Sequence, residues 1–305
     1  MKCNLCGENN FDLRYKGNLE KIGSDRFSQY HYYGDLYKCK NCGLISQKLI
    51  HSFDEIASLL ANEKYLDEEI GTLNVLEKGI QFRKLIKLMQ RTTKLEGASL
   101  LDVGANTGVF LNEIKLYSTT IKGIEPSKEA SSVASKMFKL DVQNALISSA
   151  SIKDNSFDII TLWDVIEHLY DPNQDLGILF KKLKPGGIVY ISTHNVEGWF
   201  AKLMGANYPN YMYQHFFHFS HDTLSMMLQN HGFEVIDDKR FCKSWSFGYL
   251  YEMLEKIWPQ SLVVSIIRYL MRPLLYFKLI SKIQIVVPIW DFFLIAGRRP
   301  KPQED

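Results

Sequence analysis

The stretch Leu100-Leu101-Asp102-Val103-Gly104-Ala105-Asn106-Thr107-Gly108-Val109-Phe110-Leu111 decides how this chain reads. An apolar run ends in an acid, Asp102, crosses a turn with two glycines, and enters a helical pattern. Gly104 and Gly108 permit tight turning and close approach of a ligand to the backbone. Asn106 stands where a third glycine would be expected, and asparagine tolerates left-handed geometry better than most residues. The fingerprint G-x-G-x-x-G is absent, because Asn106 and Val109 occupy glycine positions, which disfavours a nicotinamide enzyme. No Gly-Lys-Ser/Thr follows, so a P-loop is excluded. Alone, the string fits a structural turn equally well. The next apolar run, IKGIEPS at 121–127, ends in Glu125, 23 residues beyond Asp102. An acid at the end of the second strand of a doubly wound sheet can accept hydrogen bonds from both ribose hydroxyls. Together the two features point to a nucleoside-containing ligand.

Outward from this centre, short apolar runs alternate with helical stretches from 98 to about 238. ASLLDV, TTIKGIE, FDIITLW and GGIVYIST read as buried strands; FLNEIKL, KEASSVASKMF and NQDLGILFKKLK read as helices. This alternation predicts an α/β fold, a parallel sheet with helices on both faces. HDTLSMMLQNHG and FEVIDDKR add one helix, with Ser220 as its cap, and one strand. Residues 243–285 read as a helical insertion, and IWDFFLIAG as the last strand. Before the sheet, Val75, Leu76, Ile80, Leu85, Ile86 and Met89 recur as on one helix face. The expected organisation is a module at 1–50, a helical connector at 51–95 and an α/β domain at 96–300.

The chain has 305 residues, 46% hydrophobic and 23% charged, with 36 Lys plus Arg against 34 Asp plus Glu. That composition fits a packed globular protein and argues against disorder. The net charge of +2 argues against nucleic acid as the main partner. The strongest apolar run, Ile257 to Ile267, falls well short of the roughly 20 residues of a membrane span. No signal peptide is visible, so the expected location is cytoplasmic.

Cys3-x-x-Cys6-Gly7 and Cys39-x-x-Cys42-Gly43 are matching half-sites. Two such turns supply four thiolates in a tetrahedron, which suits a structural zinc ion with no open coordination position. Disulfides or free thiols are the alternative readings. Cys242 stands alone and reads as a small apolar residue.

With these motifs in order, the sequence resembles the class I S-adenosylmethionine-dependent methyltransferases. LLDVGANTGVFL, GIEPS, NSFDIITLWDVIEHLYDP and LKPGGIVYIST carry the resemblance. It implies a Rossmann-like seven-stranded sheet with S-adenosylmethionine as cofactor. It further implies that Gly104 and Gly108 pass the methionine part, Glu125 holds the ribose, and Trp163 lies beside the adenosine. The adenine-contacting segment falls at Ala145-Leu146, without the acid the family often has there. The cysteine module ahead of this domain is similar to that of a subgroup including sugar C-methyltransferases. That subgroup's tyrosine and glutamate positions hold Met212 and Gln214 here, whereas His215 is kept.

For a hydroxyl acceptor, a positioned base removes the proton, and histidine is the usual residue. His215 and His194 are the candidates. His194 ends the GGIVYIST strand, at the edge where ligands bind in open α/β sheets. His168 reads as a structural neighbour of Glu167. The expected activity is methyl transfer to a small-molecule, sugar or lipid-linked acceptor at oxygen. Alternatives are a sugar C-methyltransferase, an RNA methyltransferase gripping RNA with the zinc module, and a non-catalytic cofactor-binding protein.

Residues 261–285 contain Arg268, Arg272, Lys278 and Lys282 and no acid. At about 100° per residue the four fall within an arc of roughly 120°, and most of the rest is apolar. Pro273 predicts two shorter helices rather than one. Either the apolar side packs on the catalytic domain as a cap, or the segment makes peripheral contact with an anionic membrane.

Overall fold

The computed structural model describes residues 1–19, 32–48, 51–61, 71–117, 120–258, 261–276, 278–281, 283–286 and 291–302. Lys282 and the first two residues of IWDFFLIAG lie outside them. In chain order the elements are β1 (Phe11–Tyr15), β2 (Leu36–Cys39), β3 (Ile45–Gln47), α1 (Phe53–Ala61) and α2 (Gly71–Met89). Then follow β4 (Ser99–Val103), α3 (Val109–Ile114), β5 (Thr120–Ile124), α4 (Lys128–Phe138), β6 (Val142–Gln143) and β7 (Phe157–Trp163). Next come α5 (Pro172–Lys182), β8 (Leu183–His194), α6 (Trp199–Met204), β9 (Phe217–His218), α7 (His221–Asn230) and β10 (Glu234–Phe241). The chain closes with β11 (Ser244–Ser246), α8 (Phe247–Ile257), α9 (Leu262–Leu275), α10 (Lys278–Ser281), β12 (Gln284–Val286) and β13 (Phe292–Arg298).

Seven strands form one sheet in the order β10-β13-β8-β7-β4-β5-β6. Only β13 runs antiparallel to its neighbours, so the sheet is mixed. Its central strands are apolar on both sides because helices cover both faces. The side chains alternate accordingly. Leu101, Ile160 and Ile191 pack with α5 and α7, while Leu100, Ile159 and Tyr190 pack with α2, α3 and α4. Helix starts are fixed locally: Ser127 accepts the Ala130 N–H, Asp171 accepts the Gln174 N–H ahead of Pro172, and Ser220 forms a capping box with Thr223. The expected α/β architecture is the observed one.

Three features differ from the sequence reading. Residues 243–285 are not wholly helical, because β11 and β12 form an antiparallel ribbon that clasps α8, α9 and α10. Helix α9 runs through Pro273, which sits in its last turn with little helix beyond it to disrupt. The strands β6 and β9 are two residues each, too short for any periodic signal. Strand β9 completes a second sheet, ordered β1-β2-β3-β9, that joins the cysteine segment to the chain beyond β8. Among the described residues, no helix is long and apolar enough to cross a membrane.

Candidate active site

A cavity of about 720 Å³ opens at the C-terminal ends of β4, β5 and β7. There the strand order reverses, and ligands of open α/β sheets bind at such a switch point. Asp102, Gly104, Asn106, Glu125, Leu146 and Trp163 all line it. Gly104 has φ +69°, and a Cβ there would meet Val165 Cγ2 at 2.5 Å, so only glycine keeps this wall thin. Asn106 is left-handed at φ +50°. Its N–H donates to Glu125 Oε2 at 2.8 Å, and the Ser127 N–H donates to Oε1 at 2.8 Å. Two backbone donors thus pin the buried Glu125 carboxylate at the cavity wall. Thr161 Oγ1 donates to Asp102 Oδ1 at 2.6 Å. Burial, together with the Glu125 charge, pushes Asp102 up to about 8 despite that bond. The Trp163 ring packs 5.1 Å from Phe110, and its Nε1 is buried without a partner. Gly108 is not among the lining residues. At φ +81°, its missing Cβ makes room for Leu140 and Ala134, which lets α3 settle against α4.

Three further lining residues, Lys78, Asp164 and Lys243, escaped the sequence reading, and His168, read there as a structural neighbour of Glu167, lines the cavity too. Asp164 adopts φ +54° beyond β7, held by the Ser192 hydroxyl and ion-paired with Lys243. The Lys243 ammonium also sits 3.8 Å from the centre of the Phe292 ring. Burial pushes the Lys78 ammonium below its usual range, although Asp164 and Glu125 oppose the shift. An acid directly after a strand was a readable signal for Asp164; Lys78 and Lys243, in distant segments, gave none.

The histidines converge behind this wall. His168 Nδ1–H donates to Gln214 O at 3.0 Å, and its ring lies 4.6 Å from that of His215. His215 Nδ1–H donates to Asn210 O at 2.7 Å, and its ring stacks on His194 at 5.0 Å. His194 Nε2 is 3.1 Å from His218 Nδ1, and His194 Nδ1 is 3.5 Å from Glu167 Oε1. His194 and His215 are buried and do not line the cavity; His168 is the histidine that does. Burial, reinforced by neighbouring histidines, pushes His215 and His218 well below the usual imidazole range, so both are neutral near pH 7. Burial alone would raise Glu167, but the bond and charge of His194 and the charge of His168 outweigh it and hold the carboxyl below its usual range.

In the N-terminal segment, Cys3, Cys6, Cys39 and Cys42 bring their four Sγ atoms within 4.8 Å of one another. Gly7 N–H donates to Cys3 O and Gly43 N–H to Cys39 O, both at 2.9 Å, so the half-sites are geometric copies. Sγ pairs stand 3.5 and 3.6 Å apart and are not disulfide-bonded. Asn4 Nδ2 donates to Asp171 Oδ1 at 2.8 Å, which ties the first turn to the start of α5.

Fold and cavity together define a class I methyltransferase architecture. The chain belongs to the methyltransferase-domain family, whose model matches residues 78–238, just over half of its length. It is an S-adenosylmethionine-dependent methyltransferase. The ubiquinone biosynthesis O-methyltransferase of Proteus mirabilis is 27% identical over 173 residues, spanning 54% of this chain and 67% of that protein. Its namesake in Photorhabdus laumondii is 28% identical over 173 residues, 54% of this chain and 69% of that protein. A chain from the complex between the Haloferax volcanii Trm112 methyltransferase activator and a methyltransferase shares the fold. Its TM-score is 0.54 at 14% identity, with 82% of this chain and 100% of that chain covered.

Proposed function

We propose that this enzyme methylates a hydroxyl oxygen of a mainly apolar small molecule, with His168 as the base. The carrying observation is the place of His168 on the cavity wall. Its Nδ1–H bond to Gln214 O leaves Nε2 as the lone-pair nitrogen, able to take a proton. His215 packs edge-on against its ring and is itself backed by His194, which lies beside Glu167. This assigns the two histidines singled out in the sequence to positioning. Phe53, Ile56, Leu60, Phe82 and Tyr249 give the cavity its apolar lining. The names of the Proteus and Photorhabdus relatives support transfer to oxygen.

Bound S-adenosylmethionine supplies a methyl group already activated on sulfonium, so the protein mainly supplies proximity and orientation. Glu125 would hold the ribose hydroxyls, the backbone at Gly104 the methionine part, and Leu146 and Trp163 the adenosine. As the acceptor hydroxyl becomes nucleophilic, His168 Nε2 takes its proton. The four cysteines hold one structural zinc ion: tetrahedral Zn–S bonds need sulfurs about 3.8 Å apart, close to the spacing present. In this reading 1–50 is the zinc module, 51–95 the connector that supplies Lys78, and 96–300 the catalytic domain. A small or lipid-linked acceptor fits the near-neutral charge better than RNA.

The test is isotopic methyl transfer to a panel of phenols and catechols. His168→Ala should lower turnover by about 10²–10⁴-fold while cofactor affinity is kept. A product methylated at carbon or nitrogen, or undiminished turnover in the variant, sinks the reading.

A further inference from the structure

Helix α9 carries none of its fourteen residues fully buried. Its inward stripe is narrow: Val264, Arg268, Met271 and Leu275, at spacings of three and four. Arg268 anchors that stripe through an ion pair with Glu255 and lies 4.3 Å above the Tyr251 ring, both on α8. The remaining circumference faces outward. Leu262 is 75% exposed, Tyr269 76% and Leu270 68%, and Val263, Ile266, Ile267 and Leu274 are exposed beside them. At about 100° per residue, these seven cover an arc of roughly 160° with no polar side chain but the tyrosine hydroxyl. The cap expectation therefore fails for this helix, because its apolar side turns away from the catalytic domain.

We propose that α9 lies flat in the surface of a membrane bearing anionic lipids, its outward arc immersed among the acyl chains. Fourteen residues make a helix about 21 Å long, too short to span the roughly 30 Å hydrocarbon layer. A packed protein partner typically covers a stripe of about 100°, whereas a fluid apolar medium wraps a wider arc. The charge is complementary to anionic headgroups. Arg272 is exposed at the flank of the arc, and besides the ion-paired Arg268 the sequence of 261–285 holds Lys278 and Lys282 and no acid. Tyr269 and the 80% exposed Tyr276 supply the amphipathic rings that favour the bilayer–water boundary. Exposed apolar surface of this extent is unusual on a free monomer. Because α8 packs on α9 and contributes Tyr249 to the cavity, docking sets the cavity close to the membrane surface. This inference concerns where the protein sits and holds for any acceptor.

Flotation of the intact protein with vesicles of phosphatidylcholine alone, and of phosphatidylcholine with phosphatidylglycerol, tests it at low salt. Wild type should rise with the anionic vesicles and fall back as salt increases. The double variant Ile266→Glu/Leu270→Glu should partition at least about tenfold less. Both positions are exposed and outside the cavity lining, so calorimetric cofactor affinity should be unchanged, which separates this inference from the catalytic reading. Wild type staying down with both vesicle types overturns the proposal, as does a variant that floats like wild type. Equal binding to uncharged vesicles removes the anionic requirement. A dimer that the same variant dissociates, with no vesicle binding, would assign the face to self-association instead.

Discussion

The two walls of the cavity are built in opposite ways. The cofactor wall, Asp102 to Glu125, comes from one β-α-β unit in which the clamp on Glu125 is local: Asn106 and Ser127 reach it from the flanking turns. The wall that carries His168 is backed by histidines from distant segments. His168 follows β7, His194 ends β8, His215 lies in the loop beyond α6, and His218 sits in β9. That loop is held from the N-terminal side, since Gln47 donates its side chain to Tyr213 O at 2.6 Å and its N–H to Phe216 O at 2.8 Å. Strand β3 pairs with β9 directly. The segment that carries the cysteine half-sites thus holds the histidine loop through β3 and Gln47. Damage to either wall should leave a different signature.

The largest effect is expected from crowding the cofactor wall. Gly108→Val would place a Cβ 2.6 Å from Leu140 Cδ1 and 2.8 Å from Ala134 Cβ, at a φ that branched residues avoid. A loss of about 2–4 kcal/mol follows from overpacking plus backbone strain. Thermal unfolding measures it, and a near-native Tm would show that α3 can shift away from α4. Glu125→Ala should then weaken cofactor binding by roughly 1–3 kcal/mol, since it removes charge-assisted acceptors and frees the Asn106 turn. Calorimetry with S-adenosylmethionine reads this, and unchanged affinity in the folded variant excludes the ribose role.

Breaking the other wall from afar sharpens the contrast. Cys39→Ser should release the zinc, detectable by elemental analysis, and loosen the β3–β9 contact. Turnover is expected to fall roughly tenfold or more through misplacement of the histidine loop, with cofactor affinity retained. Zinc-free wild type, or equal losses of turnover and affinity, would contradict this division of labour. The smallest effect is a pH slope. His218 has a folded pKa well below the ordinary value of about 6.5 because it is buried. Below pH 6.5 the unfolded chain takes up a proton that the native site refuses, so stability falls as pH drops. Relative to His218→Asn, wild type should lose about 1.4 kcal/mol per pH unit in that range. Asp102, raised to about 8, contributes with the opposite sign in both proteins, so the difference between them, from urea unfolding, is the informative quantity.

The sequence by itself determined the central strands of the sheet, the glycine turn, the acid at its second strand and the two cysteine turns. Each of these is specified by residues close along the chain, where strand alternation, left-handed turn positions and ligand spacing leave direct marks. Gly108 shows the limit even there: its glycine is legible, but whether it faces ligand or a neighbouring helix depends on Leu140 and Ala134 packing against it. Only the tertiary structure decided which histidine reaches the cavity, because His168 and His215 differ by a ring's thickness across segments 47 residues apart. It likewise decided that Lys78, Asp164 and Lys243 share a wall, and that α9 turns its apolar arc outward rather than in. An amphipathic pattern records that a helix has two sides; which side finds the core is settled by what the rest of the chain has already buried.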